Sequence, residues 1–124
     1  MRLLDSNVLI YLADPRYPGL SEAILTEPVC VSAVTVVEVL GYHLLTSQEE
    51  ADLRQLLEQF IILPMDGAVT NRAIKLRQNR KTGLGDALVA ATALVHDLPL
   101  VTRNVGDFRH IAELRLLDPL AGKP

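Results

Sequence analysis

Tryptophan is absent from this 124-residue chain, and aromatic residues of all kinds make up only 4% of it. Stacking platforms for single-stranded bases therefore do not dominate whatever recognition it performs. A single cysteine, Cys30, leaves no internal disulfide to be made. Within Val29-Cys30-Val31 it reads as a small buried hydrophobe in a strand, which suits a reducing compartment. No apolar run approaches the roughly 20 residues that cross a bilayer. Nor does a charged segment lead into a long apolar stretch near the N-terminus, so the expectation is a cytoplasmic chain with no signal peptide and no membrane partner. Internal repeats, low-complexity tracts and linkers are missing too. The three histidines, His43, His96 and His110, lack the spacing of metal ligands. Positive charge is in deficit, with 12 Lys and Arg against 15 Asp and Glu for a net charge of −3, an awkward balance for a protein that handles nucleic acid.

What the chain does have is apolar residues, 49% of the total, in short runs that alternate with longer helical patterns. That supports one domain over residues 1–124 with enough chain for a real core. Strands are expected at Arg2–Leu4, Pro28–Val31, Phe60–Leu63, Leu100–Thr102 and Leu114–Leu117. Helices are expected at Val8–Ala13, Leu20–Thr26, Ala33–Leu45 with Ser32 as its N-cap, Gln48–Gln59 with a Ser47/Glu50 capping box, after the cap Asp66 to about Arg80, and at Asp86–His96. Pro15, Pro18 and Gly19 break the chain after the first helix, and a Pro/Gly tail closes it. Strands alternating with helices imply a parallel sheet covered on both faces, with the ligand crevice beyond the carboxyl ends of the strands.

Four acids stand where a carboxylate is hard to explain. Asp5 ends the apolar opening, Glu38 lies inside Val36-Val37-Glu38-Val39-Leu40, Asp86 opens an alanine-rich apolar helix, and Asp107 follows an apolar strand and a turn. An ionised carboxylate in apolar surroundings costs several kcal/mol unless it is paired or bound to a cation. Helix capping accounts equally well for Asp5, Asp86 or Asp107 taken singly. Glu38 has almost no polar neighbours at helical spacing, so it either snorkels at an edge or is held by a partner. Four converging carboxylates would repel one another and would form a cage of hard oxygen ligands for Mg²⁺ or Mn²⁺.

Four blocks carry a resemblance: Leu4-Asp5-Ser6-Asn7-Val8-Leu9-Ile10, Thr35-Val36-Val37-Glu38, Gly85-Asp86-Ala87-Leu88-Val89-Ala90-Ala91-Thr92-Ala93, and Val101-Thr102-Arg103-Asn104-Val105-Gly106-Asp107-Phe108. In order and spacing the chain resembles the PIN-domain ribonucleases, specifically the VapC-type toxins of toxin–antitoxin pairs. The resemblance implies a PIN-like three-layer α/β/α fold with a central, mostly parallel sheet of four to five strands. It implies Mg²⁺- or Mn²⁺-dependent hydrolysis of RNA, with Asp5, Glu38, Asp86 and Asp107 as the catalytic acids. It also implies a cognate antitoxin and a homodimer. Asp5, Asp86 and Asp107 are the expected metal contacts, Glu38 orients or deprotonates the attacking water, and Thr102 and Asn104 are supporting polar groups; Asn7 lies close enough in sequence to be another, with ordinary turn hydrogen bonding an equal reading. The segment Gly83-Leu84-Gly85 departs from relatives, which often carry bulkier residues or Pro before the acid.

The basic run from Arg72 to Lys81 holds five cations and no acid. It leads towards Asp86 and is expected to grip RNA phosphates through Arg77, Arg80 and Lys81, with Arg103 and Arg109 adding to the rim; a solvated helix face is the other reading. The aliphatic surface of the helices over Ala33–Leu45 and Gln48–Gln59 is expected to leave a groove for an amphipathic antitoxin segment near the site; packing of all of it on the sheet is the other reading. Two other readings compete. Phosphoaspartate chemistry wants a second acid soon after the first and a lysine at a later strand end, whereas this chain offers Ser6-Asn7 and Thr102-Arg103. A catalytically silent PIN-like module that binds RNA or protein would gain nothing from four repelling acids.

Overall fold

The computed structural model describes residues 1–17 and 19–120. The chain runs β1 (Arg2–Leu4), α1 (Ser6–Ala13), α2 (Leu20–Ile24), β2 (Val29–Ser32), α3 (Ala33–Leu40), α4 (Ser47–Leu57), β3 (Ile61–Leu63), α5 (Gly67–Asn79), α6 (Leu84–Val95), β4 (Leu100–Val101), α7 (Val105–Phe108) and β5 (Leu116–Leu117). Side chains of successive strand residues point to opposite faces, and the strands divide their apolar residues accordingly. Leu3, Cys30 and Leu100 pack into one core with Val69, Ala73, Leu76, Phe108 and the alanine-rich face of α6. Leu4, Val31 and Val101 pack into the other with α1, α2 and α4. Helix α3 serves both, through Val34 and Val39 respectively. Cys30 is fully buried, and burial pushes its thiol up to about 11, which keeps it a protonated, inert hydrophobe.

The sheet is wholly parallel, in the order β3-β2-β1-β4-β5. Strand β1 lies at the centre. From it the chain builds outward through β2 to β3, then returns through α5 and α6 to place β4 on the other side of β1. The strand order therefore reverses between β1 and β4, where an open parallel sheet forms a crevice at its carboxyl edge. Asp5 immediately follows β1, and Thr102 immediately follows β4.

Several boundaries differ from expectation for local reasons. Helix α3 ends at Leu40 instead of Leu45, because Gly41 stops it and residues 42–45 form a turn closed by the Leu45 N–H on Tyr42 O at 3.1 Å. The capping box of α4 is Thr46 with Glu49, not Ser47 with Glu50. Thr46 Oγ1 accepts from Glu49 N at 3.1 Å and Glu49 Oε1 accepts from Thr46 N at 2.9 Å. Glu50 instead pairs with Arg54 at 2.8 Å, one turn on. Helix α6 begins at Leu84, two residues before Asp86, so that acid lies in the first turn and not at the cap. The turn before Asp107 becomes the short helix α7. Ser32 and Asp66 cap α3 and α5 as expected. The Pro18 break and the tail from residue 121 lie outside the described residues.

The capping register makes a direct prediction. Thr46→Ala removes the hydroxyl that accepts from Glu49 N and should lower unfolding free energy by about 1 kcal/mol in urea titrations. Ser47→Ala, in the first helical position, should change it by no more than about 0.5 kcal/mol. Equal effects would contradict the register.

Candidate active site

The hydrogen bonds at the carboxyl edge join β1 to β4 through one carboxylate. Asp5 is 4% exposed and caps α1, its Oδ1 accepting from Ser6 N at 2.8 Å. Its Oδ2 accepts from Thr102 Oγ1 at 2.8 Å and from Asn7 Nδ2 at 3.3 Å. Thr102 Oγ1 accepts in turn from the Asn104 backbone N–H at 3.0 Å, and Asn7 Oδ1 accepts from Arg103 N at 3.1 Å. The two strand ends are thereby held together by side chains as well as by the Asp5 N–H on Val101 O at 2.9 Å. Asn7 and Thr102 orient Asp5 directly. Asn104 supports it only through its backbone, since its exposed side chain makes no cap bond to α7. Capping and convergence, alternatives in the sequence, hold together for Asp5.

The other three acids reach the same place. Burial, opposed by those hydrogen bonds and reinforced by repulsion from Asp107, raises the Asp5 carboxyl above its ordinary value. Burial and then repulsion from Asp5 and Asp86 raise Glu38. Burial and then repulsion from Asp5 and Asp107 raise Asp86. Asp5 and Asp86 both act on Glu38, and Asp107 acts on both of them, so the four carboxyls share one neighbourhood. Glu38 comes from the middle of α3, Asp86 from the first turn of α6 and Asp107 from the first turn of α7. The positive N-terminal ends of α1 and α6 therefore face concentrated negative charge, which offsets some of the repulsion. None of the four makes an ion pair among the described residues, where the ion pairs all lie elsewhere.

Glu38 is more exposed than its apolar flanks suggested. Its neighbours Val34 and Val39 are buried on either side of α3, but its carboxylate overhangs the start of α6 against Gly85. Gly85 stands against the Glu38 carboxylate, a relation the sequence did not show, because the close approach exists only once α3 and α6 are packed. Among the described residues, no three His, Cys, Asp or Glu side chains already stand at joint metal-ligating spacing. Binding an ion would thus require the carboxylates to draw together or to reach it through water. The donor set itself, all carboxylate oxygen and unpaired, is the chemistry that Mg²⁺ and Mn²⁺ take.

Arg77, Arg80 and Lys81 are all exposed at the end of α5 and in the loop before α6. Arg77 Nε donates to Thr82 O at 3.1 Å, bracing that loop. Arg72 is half-buried and lies 3.9 Å from Glu113, so it is drawn away from the run. Arg103 does not join the basic rim: its guanidinium binds both Asp118 oxygens, at 2.8 and 3.0 Å. On the opposite flank a groove of about 640 Å³ runs from Ser6 and Glu38 between α1, α3 and α4, past Ile10 and Tyr42 to Glu49 and Asp52.

The raised carboxyls set a pH dependence. In the folded chain Asp5, Glu38 and Asp86 keep their protons above the ordinary 3.8 of Asp and 4.5 of Glu. The folded state then binds more protons than the unfolded one. These groups favour folding below those ordinary values and lose that contribution as pH rises through the elevated ones. Asp14, Glu49 and Asp118, held low, work in the opposite sense, so a difference measurement isolates the site. In chelator-treated buffer, Asp5→Asn should gain thermal midpoint on the wild type as pH rises from about 4 to about 7. A pH-independent difference would contradict the repulsion.

Comparison with known proteins places this geometry. The sequence profile of the PIN domain family matches residues 2–114. The chain is similar to "Ribonuclease VapC10" of Mycobacterium tuberculosis, 31% identical over an alignment of 131 positions, gaps included, that covers 93% of this chain and 91% of the relative. It is similar to "Toxin FitB" of Neisseria gonorrhoeae, 33% identical over 140 positions, gaps included, covering 96% and 98%. Among solved structures, a toxin–antitoxin complex from Klebsiella pneumoniae superposes with a TM-score of 0.76 at 32% identity, covering 96% of this chain and 98% of that one. Strand order, the acid group at the β1/β4 crevice and these matches agree: the chain belongs to the PIN domain family.

Proposed function

We propose that this chain is an Mg²⁺- or Mn²⁺-dependent endoribonuclease, the toxin of a toxin–antitoxin pair, acting in the cytoplasm. The observation that carries the reading is the group of four carboxylates, without a cationic partner among the described residues, at the crevice between β1 and β4. Relatives that match over nine-tenths of the chain are named ribonuclease and toxin, which supports hydrolysis over a silent binding module. No helix among the described residues is long and apolar enough to cross a membrane.

In this reading Asp5, Asp86 and Asp107 would hold the cation. Once bound, a divalent ion polarises a phosphate oxygen and lowers the pKa of water at the site. Thr102 and Asn7 keep Asp5 ionised and aimed by donating to it. The accessible Glu38 takes the proton of the attacking water as it adds to phosphorus in line with the departing 3′ oxygen. Arg80 and Lys81, in the loop leading into α6, hold flanking phosphates, with Arg77 bracing that loop and adding charge.

The groove beside Glu38 suits an antitoxin segment. Its walls are partly apolar, with Ile10 56% and Tyr42 54% exposed, and its far end carries Glu49 and Asp52. A cationic amphipathic segment lying there would reach Glu38 and place a basic side chain among the acids. A homodimer belongs to the same reading and is supported by exposed aliphatic residues away from the groove, among them Ile61 and Ile62 on the edge strand β3.

Two experiments test the reading. Asp5→Asn and Asp86→Asn should each lower Mg²⁺-dependent RNA cleavage by on the order of 1,000-fold or more while the protein stays folded. Near-native turnover in either would remove that acid from the machinery. Replacing Arg77, Arg80 and Lys81 with Ser should weaken binding of an uncleaved RNA and flatten its salt dependence by about 0.7 for each phosphate no longer neutralised. An unchanged slope would make this segment a solvated surface.

A further inference from the structure

Gly85 is the second residue of α6 and immediately precedes Asp86. A Cβ built on it would stand 2.8 Å from Glu38 Oε2 and 3.4 Å from Glu38 Cδ, with Glu38 Oε1 third at 3.9 Å. The three nearest atoms thus all belong to one carboxyl group, on a different helix. Gly83, two residues earlier, has nothing within 4 Å of its own added Cβ. The backbone at Gly85 does not demand glycine, since no residue of α6 has a positive φ and alanine is the better helix former. Fold stability therefore gives no reason for glycine here; in this chain, unlike relatives with bulkier residues before the acid, the Glu38 carboxylate takes the space a Cβ would fill.

We propose that Gly85 is a positioning residue for RNA hydrolysis, its bare Cα letting the Glu38 carboxylate lie against the first turn of α6, next to Asp86. The inference rests on the role given to Glu38 above. N-cap Gly83 makes no side-chain bond to the first turn of α6, so the free N–H groups of that turn keep their partial positive charge. A methyl group at residue 85 displaces the carboxylate by a few tenths of an ångström or swings it away altogether. The long Glu side chain absorbs that movement by rotating, so the fold is spared and the proton acceptor is not where the water is.

The test is the set Gly85→Ala, Gly83→Ala, Glu38→Gln, Glu38→Asp and the double variant Gly85→Ala/Glu38→Asp, with thermal midpoints and steady-state kinetics on one RNA. Gly85→Ala should melt at or above the wild-type temperature yet lose on the order of 10- to 100-fold in kcat, with KM little changed. Gly83→Ala should keep kcat within about twofold. Aspartate is one methylene shorter and withdraws from the added methyl, so Gly85→Ala should cost no more than about twofold in the Glu38→Asp background. A crystal structure of Gly85→Ala should show the Glu38 carboxylate moved while α6 is not. The proposal is overturned if Gly85→Ala retains kcat while Glu38→Gln loses it, if midpoint and kcat fall together, or if its factor is the same in both backgrounds. A Glu38→Gln variant with wild-type kcat would overturn the role of Glu38 itself, and this proposal with it, without Gly85 having been touched.

Discussion

The site depends on keeping one buried carboxylate between the ends of two strands. Asp5 is nearly inaccessible, and it tolerates that burial because Ser6 N, Thr102 Oγ1 and Asn7 Nδ2 all donate to it. Without those donors a buried anion would be too costly to keep. With them, the ends of β1 and β4 are tied into a rigid corner. The strand order makes that corner possible: β1 and β4 are neighbours only because the chain crosses back over β1 after finishing β3. The central acid thus sits where the topology leaves a crevice, and the other acids are hung around it from helices packed on both faces of the sheet.

The arrangement concentrates negative charge that the fold would be more stable without. Asp5, Glu38 and Asp86 all feel each other or Asp107, and burial raises each of the three. The helix ends at α1 and α6 offset this only partly, because the field of a helix terminus falls off within a turn. A stored electrostatic penalty that a cation removes is a familiar property of sites built for metal-assisted hydrolysis. The Glu38–Gly85 contact belongs to the same trade: a residue type that weakens α6 is tolerated where a carboxylate must pass close to the backbone.

Charge is also distributed by flank. Arg80 and Lys81 are exposed in the loop that leads into α6 and Asp86. Glu49 and Asp52 line the groove on the Glu38 side. A net charge of −3 is therefore compatible with binding a polyanion on one flank and a cationic segment on the other, since local potential governs the encounter more than the total.

Much of this was readable in the chain itself. Short, continuous apolar runs alternating with helices determine a two-faced parallel sheet, and the sidedness of Leu3 and Leu4 follows from the pleat alone. Ser32 and Asp66 announced their helices, because a cap is a contact between near neighbours in sequence. The four acids were legible as a set because each breaks an apolar pattern. Local competition was harder to read. Thr46 and Ser47 are both good caps, each with a Glu three residues on, and the helix starts from Thr46 with Glu49 while Glu50 turns to Arg54. Only the tertiary structure decided the relations between distant residues. These include Thr102 on Asp5 across 97 positions, the diversion of Arg103 to Asp118, and the exposure of Glu38 over Gly85. Such contacts arise from how helices pack on a twisted sheet, a geometry that no local pattern of residues encodes.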